Sequence, residues 1–142
     1  MQPSLLPLRG LSILIVEDSA EIAFDLSDGL RQAGAASVEL KASVRQARKR
    51  LETPPPPSIV LLDNNLVGVE TGLDLALWIR TQPRLTQALR ISYSGSDPAQ
   101  IQANCPDSHV FHALIIKPIP LPTLITQIAD LAQANYLFPL AR

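Results

Sequence analysis

Residues 59–62 (IVLL) constrain the fold more than any other stretch. Four consecutive prolines, Pro54 to Pro57, precede them, and Asp63-Asn64-Asn65 follows at once. A short apolar run of β-prone residues bounded by turn formers reads as a strand covered on both faces. A parallel sheet needs such strands, because its crossover helices lie on both sides. A carboxylate at the carboxyl end of a central parallel strand lies where open α/β sheets hold their ligands. Asp and Asn also begin turns. Asp63 taken alone therefore has two readings, and the rest of the chain must decide between them.

The flanking sequence repeats the pattern. Residues 11–16 (LSILIV) form a second buried-type strand and end in Glu17-Asp18. Asp18-Ser19-Ala20-Glu21 has the form of a helix N-cap with Glu three residues on, which places the cap at Asp18. Ile22, Ala23, Leu26, Leu30 and Ala33 then share one helical face, and Gly34 is a natural stop. Residues 37–40 are a short strand candidate, and Ser43 can cap a helix with Val44, Ala47 and Leu51 on one side. Beyond Asp63 the spacing predicts a helix over 72–81 and a strand over 90–93 ending at Ser94-Gly95-Ser96. Asp97-Pro98 then reads as an N-cap with proline at the first helical position. That helix is short, since Pro106 lies just ahead. Residues 110–116 predict a last strand running into Lys117-Pro118, and Pro122 opens a final helix carrying Leu124, Ile125, Ile128, Leu131 and Ala132. Five strands alternating with five helices imply an α/β, doubly wound parallel sheet.

Composition narrows the function. The chain has 142 residues, 46% apolar, enough for one domain with a real core. With 18% charged residues and a net charge of −1, no basic surplus points to nucleic acid or an anionic membrane surface. The apolar runs are too short to span a bilayer. Residues 1–10 read as a leader or linker, because prolines break up Leu5, Leu6 and Leu8 and no signal-peptide pattern follows. The folded unit is expected over 11–135, with 136–142 a tail. One cysteine, Cys105, excludes an internal disulfide and a multi-cysteine metal site, so a cytoplasmic, reducing compartment is expected.

The polar residues that stand out share one structural address. Glu17 and Asp18 end the first strand, Asp63 the third, Ser94 the fourth and Lys117 the fifth. In a sheet of order 2-1-3-4-5, strands one and three are neighbours at the switch point. Their ends would bring three carboxylates into one crevice, where they repel one another. A divalent cation relieves this, and oxygen ligands without His or Cys favour Mg²⁺ over zinc. The Ser94 hydroxyl and Lys117 ammonium supply a donor and a positive charge for an anionic group. The set reads as a site where a phosphoryl group is placed on a carboxylate.

In this combination the chain resembles the receiver domain of two-component response regulators, over about residues 11–135. The resemblance implies a flavodoxin-like (CheY-like) fold and a phosphorelay signalling role rather than an enzyme's. It implies Asp63 as phosphoacceptor, Asp18 as a direct Mg²⁺ ligand, Glu17 acting through water, and Asn65 offering its backbone carbonyl to the metal. Ser94 and Lys117 would each meet a phosphoryl oxygen, and Gly95 would leave room beside it. It also implies a cis Lys117-Pro118 bond, and a histidine kinase or histidine phosphotransfer protein as partner. A homodimer would form through the face of the fourth helix, fifth strand and fifth helix. Two positions depart from the family pattern: Val67 replaces the proline usual four residues after the acceptor, and Leu114 replaces the usual aromatic on the last strand.

Other readings stay open on the residues alone. A degenerate receiver would use the same fold as a docking module. An aspartate-nucleophile phosphatase would need a second acid close behind Asp63, where Asn65 stands. A flavodoxin-like cofactor binder would need a phosphate cradle after the first strand, where the turn Glu17-Asp18-Ser19 is acidic. His109, His112, Cys105 and Trp78 are read as structural.

Overall fold

The computed structural model describes residues 6–64 and 70–135. Five parallel strands form one sheet in the order β2-β1-β3-β4-β5. The strands are β1 (Ser12–Val16), β2 (Ser37–Lys41), β3 (Ile59–Leu62), β4 (Leu89–Ser94) and β5 (Ala113–Ile116). The helices are α1 (Ala20–Gln32), α2 (Val44–Leu51), α3 (Gly72–Thr81), α4 (Pro98–Ala103) and α5 (Leu121–Ala134), with a single 3₁₀ turn at Pro83–Leu85. The expected fold class is thus the observed one.

Every residue of β3 is buried, as its unbroken apolar run requires. Its alternate side chains serve two cores. Ile59 and Leu61 join Ile13 and Ile15 of β1, Ile91 and Tyr93 of β4, Leu26 and Leu30 of α1, and Leu124 and Ile128 of α5. Val60 and Leu62 join Leu14 and Val16 of β1 and the helices of the opposite face, through Val44, Leu51, Leu75, Ile79 and Ile101. Each such side chain, fully buried, contributes about 1.5–3 kcal/mol of transfer free energy.

Local chemistry sets most element ends. Ser43 Oγ accepts from the Gln46 N–H at 3.2 Å. Thr71 and Asp74 form a reciprocal capping box at the start of α3. Asp97 caps α4 with Pro98 at its first position. Gly34, after α1, has φ +102°, the left-handed region where a side chain would be strained. Lys117-Pro118 is cis.

Three local expectations are revised. The N-cap of α1 is Ser19, not Asp18: Ser19 Oγ accepts from Ile22 N–H at 3.4 Å, which leaves the Asp18 carboxylate in the acidic cluster at the strand ends. Ile22 falls outside the buried stripe of Ala23, Leu26, Ser27, Gly29 and Leu30 and is 36% exposed. The last strand begins at Ala113 rather than residue 110. Val110 and Phe111 are buried, but the Arg90 guanidinium takes the carbonyls of Val110 (2.7 Å) and His109 (3.1 Å). Upstream of the sheet, Leu8 is fully buried in the core and its N–H bonds Ala33 C=O at 3.0 Å. Among the described residues, no helix is long and apolar enough to cross a membrane.

Candidate functional site

The carboxyl ends of β1, β3, β4 and β5 bring the chemistry together. Val16 pairs with Leu62 across β1 and β3, so the acids that follow each strand emerge side by side. The register is locked on both flanks: Asp63 N–H bonds Val16 C=O at 3.1 Å, and Glu17 N–H bonds Lys41 C=O at 3.0 Å. Glu17, Asp18 and Asp63 each offer a carboxylate oxygen within 4.8 Å of the others. Glu17 and Asp63 are buried and Asp18 is exposed, so the cluster opens to solvent on one side.

Lys117 reaches this cluster from β5. Its Nζ lies 2.8 Å from Glu17 Oε1 and 3.2 Å from Asp63 Oδ2. Burial alone would lower the pKa of this ammonium, but its hydrogen bonds to Glu17 and Asp63 outweigh that and hold it above the ordinary lysine value. Ser94, fully buried at the end of β4, accepts from the Ser96 N–H at 3.2 Å. A Cβ built on Gly95 would meet nothing within 4 Å, so the space beside Ser94 is open. Asn65 lies outside the described residues, as does Val67. The structure therefore gathers Glu17, Asp18, Asp63 and Lys117 into one cluster, with Ser94 on the neighbouring strand end.

Two contributions were not read from the sequence. A Cβ on Gly72 would stand 2.4 Å from the Asp63 carbonyl oxygen. Only glycine lets the start of α3 close down on the Asp63 backbone. A glycine directly after a helix cap is the signal that was available. The second is Asn64, whose Nδ2 bonds Ser92 Oγ at 2.5 Å and ties the turn after β3 to β4.

The residues set aside as structural have structural partners. His112 Nδ1 accepts from Arg90 N–H at 2.9 Å. Burial first, then the Arg90 charge, push its imidazole below the ordinary histidine value. Cys105 Sγ faces the Ile101 carbonyl at 3.2 Å, and burial pushes its thiol up. Trp78 lies under the Arg48 guanidinium, 4.6 Å from the ring centroid.

Comparison with known proteins agrees with this architecture. The chain resembles a sensor protein from Polaromonas sp. JS666, with 22% identity and a TM-score of 0.76, over 87% of this chain and 96% of that one. It resembles the signal receiver domain of a signal transduction histidine kinase from Syntrophus aciditrophicus, with 24% identity and a TM-score of 0.76, over 94% and 98%. It also resembles the response regulator protein TrrA from Thermotoga maritima, solved in complex with Mg²⁺-BeF, with 21% identity and a TM-score of 0.71, over 84% and 96%. At these identities the likeness establishes the fold. No curated protein matches the chain. The family model of the response regulator receiver domain matches residues 13–129, which, with five parallel strands in the order 2-1-3-4-5, makes this chain a member of that family.

Proposed function

We propose that this chain is the phosphoacceptor of a two-component phosphorelay, taking a phosphoryl group from a phosphohistidine partner onto Asp63. The carrying observation is the Lys117 ammonium held between Glu17 and Asp63 beside a third carboxylate, Asp18. A half-buried ammonium so placed can follow charge from a carboxylate to an arriving phosphoryl oxygen over a short distance. In the transfer an Asp63 carboxylate oxygen forms a bond to phosphorus as the phosphorus–nitrogen bond to the donor imidazole breaks. The imidazole leaves with the bonding electron pair and takes a proton. Ser94 would donate to one phosphoryl oxygen and Lys117 to another.

The donor set fits a hard divalent cation: three carboxylates within 4.8 Å, with no His or Cys among them. Glu17, Asp18 and Asp63 would hold Mg²⁺, with the Asn65 carbonyl a further ligand by family resemblance. Bound there, the ion neutralises charge that develops on the phosphoryl group. The partner is a histidine kinase or histidine phosphotransfer protein in the cytoplasm. The surface that responds is the face of α4, β5 and α5, where Ile116 is 48% exposed and where a second copy of the chain would dock.

The test is incubation with acetyl phosphate and Mg²⁺ followed by intact mass. A single phosphate-sized gain that Asp63→Asn abolishes is expected. No gain, under conditions where a control receiver labels, leaves the docking-module reading in its place.

A further inference from the structure

The segment Lys117-Pro118-Ile119-Pro120 carries the ammonium into the crevice and joins β5 to α5. Two of its four residues are prolines, so it has only two backbone N–H donors. Both go to consecutive residues of β4. Lys117 N–H bonds Ser94 C=O at 2.9 Å, and Ile119 N–H bonds the Tyr93 phenol oxygen at 3.4 Å.

We propose that Tyr93 is a positioning residue for phosphoryl transfer: its phenol oxygen holds Ile119, and through it the turn that aims Lys117. This rests on the reading of Asp63 as acceptor. Tyr93 is 7% exposed and belongs to the core on the α1 and α5 side. Its β-ladder partner on the last strand is Ile115. The ring is therefore fixed by packing before its hydroxyl is used, and a phenol can accept while keeping a proton to donate. Alternation along the strand turns Tyr93 and Ser94 to opposite faces. One strand end thus supplies a hydroxyl beside the crevice and, one residue earlier, a hydroxyl beneath the turn that carries the counter-charge. Ile119 in the turn and Leu121 just after it pack on the same core as the Tyr93 ring, so the phenol adds a polar contact to an otherwise apolar seat. The chain lacks an aromatic at Leu114 on β5. Its aromatic is on β4 instead, bonded to the Lys117 turn.

The test is Tyr93→Phe, which keeps the ring and removes only the hydroxyl. Loss of one such bond should slow labelling by acetyl phosphate and Mg²⁺ by roughly threefold to tenfold. It should also speed amide exchange at Ile119 and move the side-chain ammonium resonance of Lys117, while circular dichroism matches the unaltered chain. The same substitution in a Lys117→Met background should have no further effect on labelling, because Tyr93 acts through that ammonium. Equal slowing in both backgrounds, or unchanged labelling in the single variant, overturns the proposal. Where Lys117→Met labels too slowly to compare, an unmoved Lys117 resonance in Tyr93→Phe overturns it. Absence of labelling in the unaltered chain counts against the acceptor reading instead, and the Ile119 and Lys117 signals still report whether the phenol holds the turn.

Discussion

At the scale of single residues, the crevice is a problem in charge. The side chains of Glu17 and Asp63 are 4% and 6% exposed, and the Lys117 ammonium between them is what makes their burial affordable. Lys117→Met should therefore destabilise the fold by about 3 kcal/mol in urea unfolding, because two buried carboxylates then face each other unneutralised. Asp63→Asn, which removes one of those charges, should cost far less in the same measurement while abolishing phosphoryl acceptance. The five charged and hydroxyl positions were legible in the sequence because a polar group at the end of a buried strand has few local explanations. Tyr93 was not. A tyrosine in an apolar run reads as packing, and the partner of its hydroxyl lies 26 residues further on. Gly72 was read as a helix start, and its contact with the Asp63 carbonyl became visible only once α3 was seen to cross that backbone.

Among the elements, two helix caps were readable, since a cap is chemistry between residues two or three apart: Ser43 and Asp97 cap the helices that follow them. The cap of α1 was read one residue early, and the Thr71 cap of α3 was not read. The start of β5 was not readable, because it depends on Arg90 of another strand claiming the carbonyls of His109 and Val110. That junction carries a pH dependence. His112 has its pKa depressed in the folded state, by burial and then by the Arg90 charge. The unfolded chain therefore binds the proton more readily. Stability is complete above the unfolded value of 6.5 and falls as pH drops through the folded one. Thermal unfolding from pH 7.5 to 5 should show this loss, and His112→Asn, whose side-chain oxygen can still accept from Arg90 N–H, should flatten it. A second prediction concerns α4. It has six residues, of which only Ile101 is buried, so its local stability is low. Phosphorylation or a beryllofluoride mimic should change amide exchange more in residues 94–104 than in β5, as read by exchange mass spectrometry.

In the whole molecule, β3 is the partition between two cores, and neighbouring residues on it belong to different ones. Leu61→Ala and Leu62→Ala should each cost about 2–5 kcal/mol in chemical denaturation. The double variant should come close to their sum, since the two side chains open cavities on opposite faces of the sheet. The strand order was legible because a chain of alternating strands and helices with acids after strands one and three satisfies the switch-point rule in that order. The burial of Leu8 was not, since a leucine among prolines gives no period to read. The wiring of the site has a consequence during synthesis. Glu17 and Lys117 are separated by 100 residues, and Asp63 and Lys117 by 54. A nascent chain emerging from the ribosome can bring its acids together as soon as β1 and β3 pair, yet it has no ammonium to set against them until the last strand docks. Under the proposed function, capacity to receive a phosphoryl group would therefore wait for β5, and a kinase meeting an unfinished copy would find a repulsive acidic cleft rather than an acceptor.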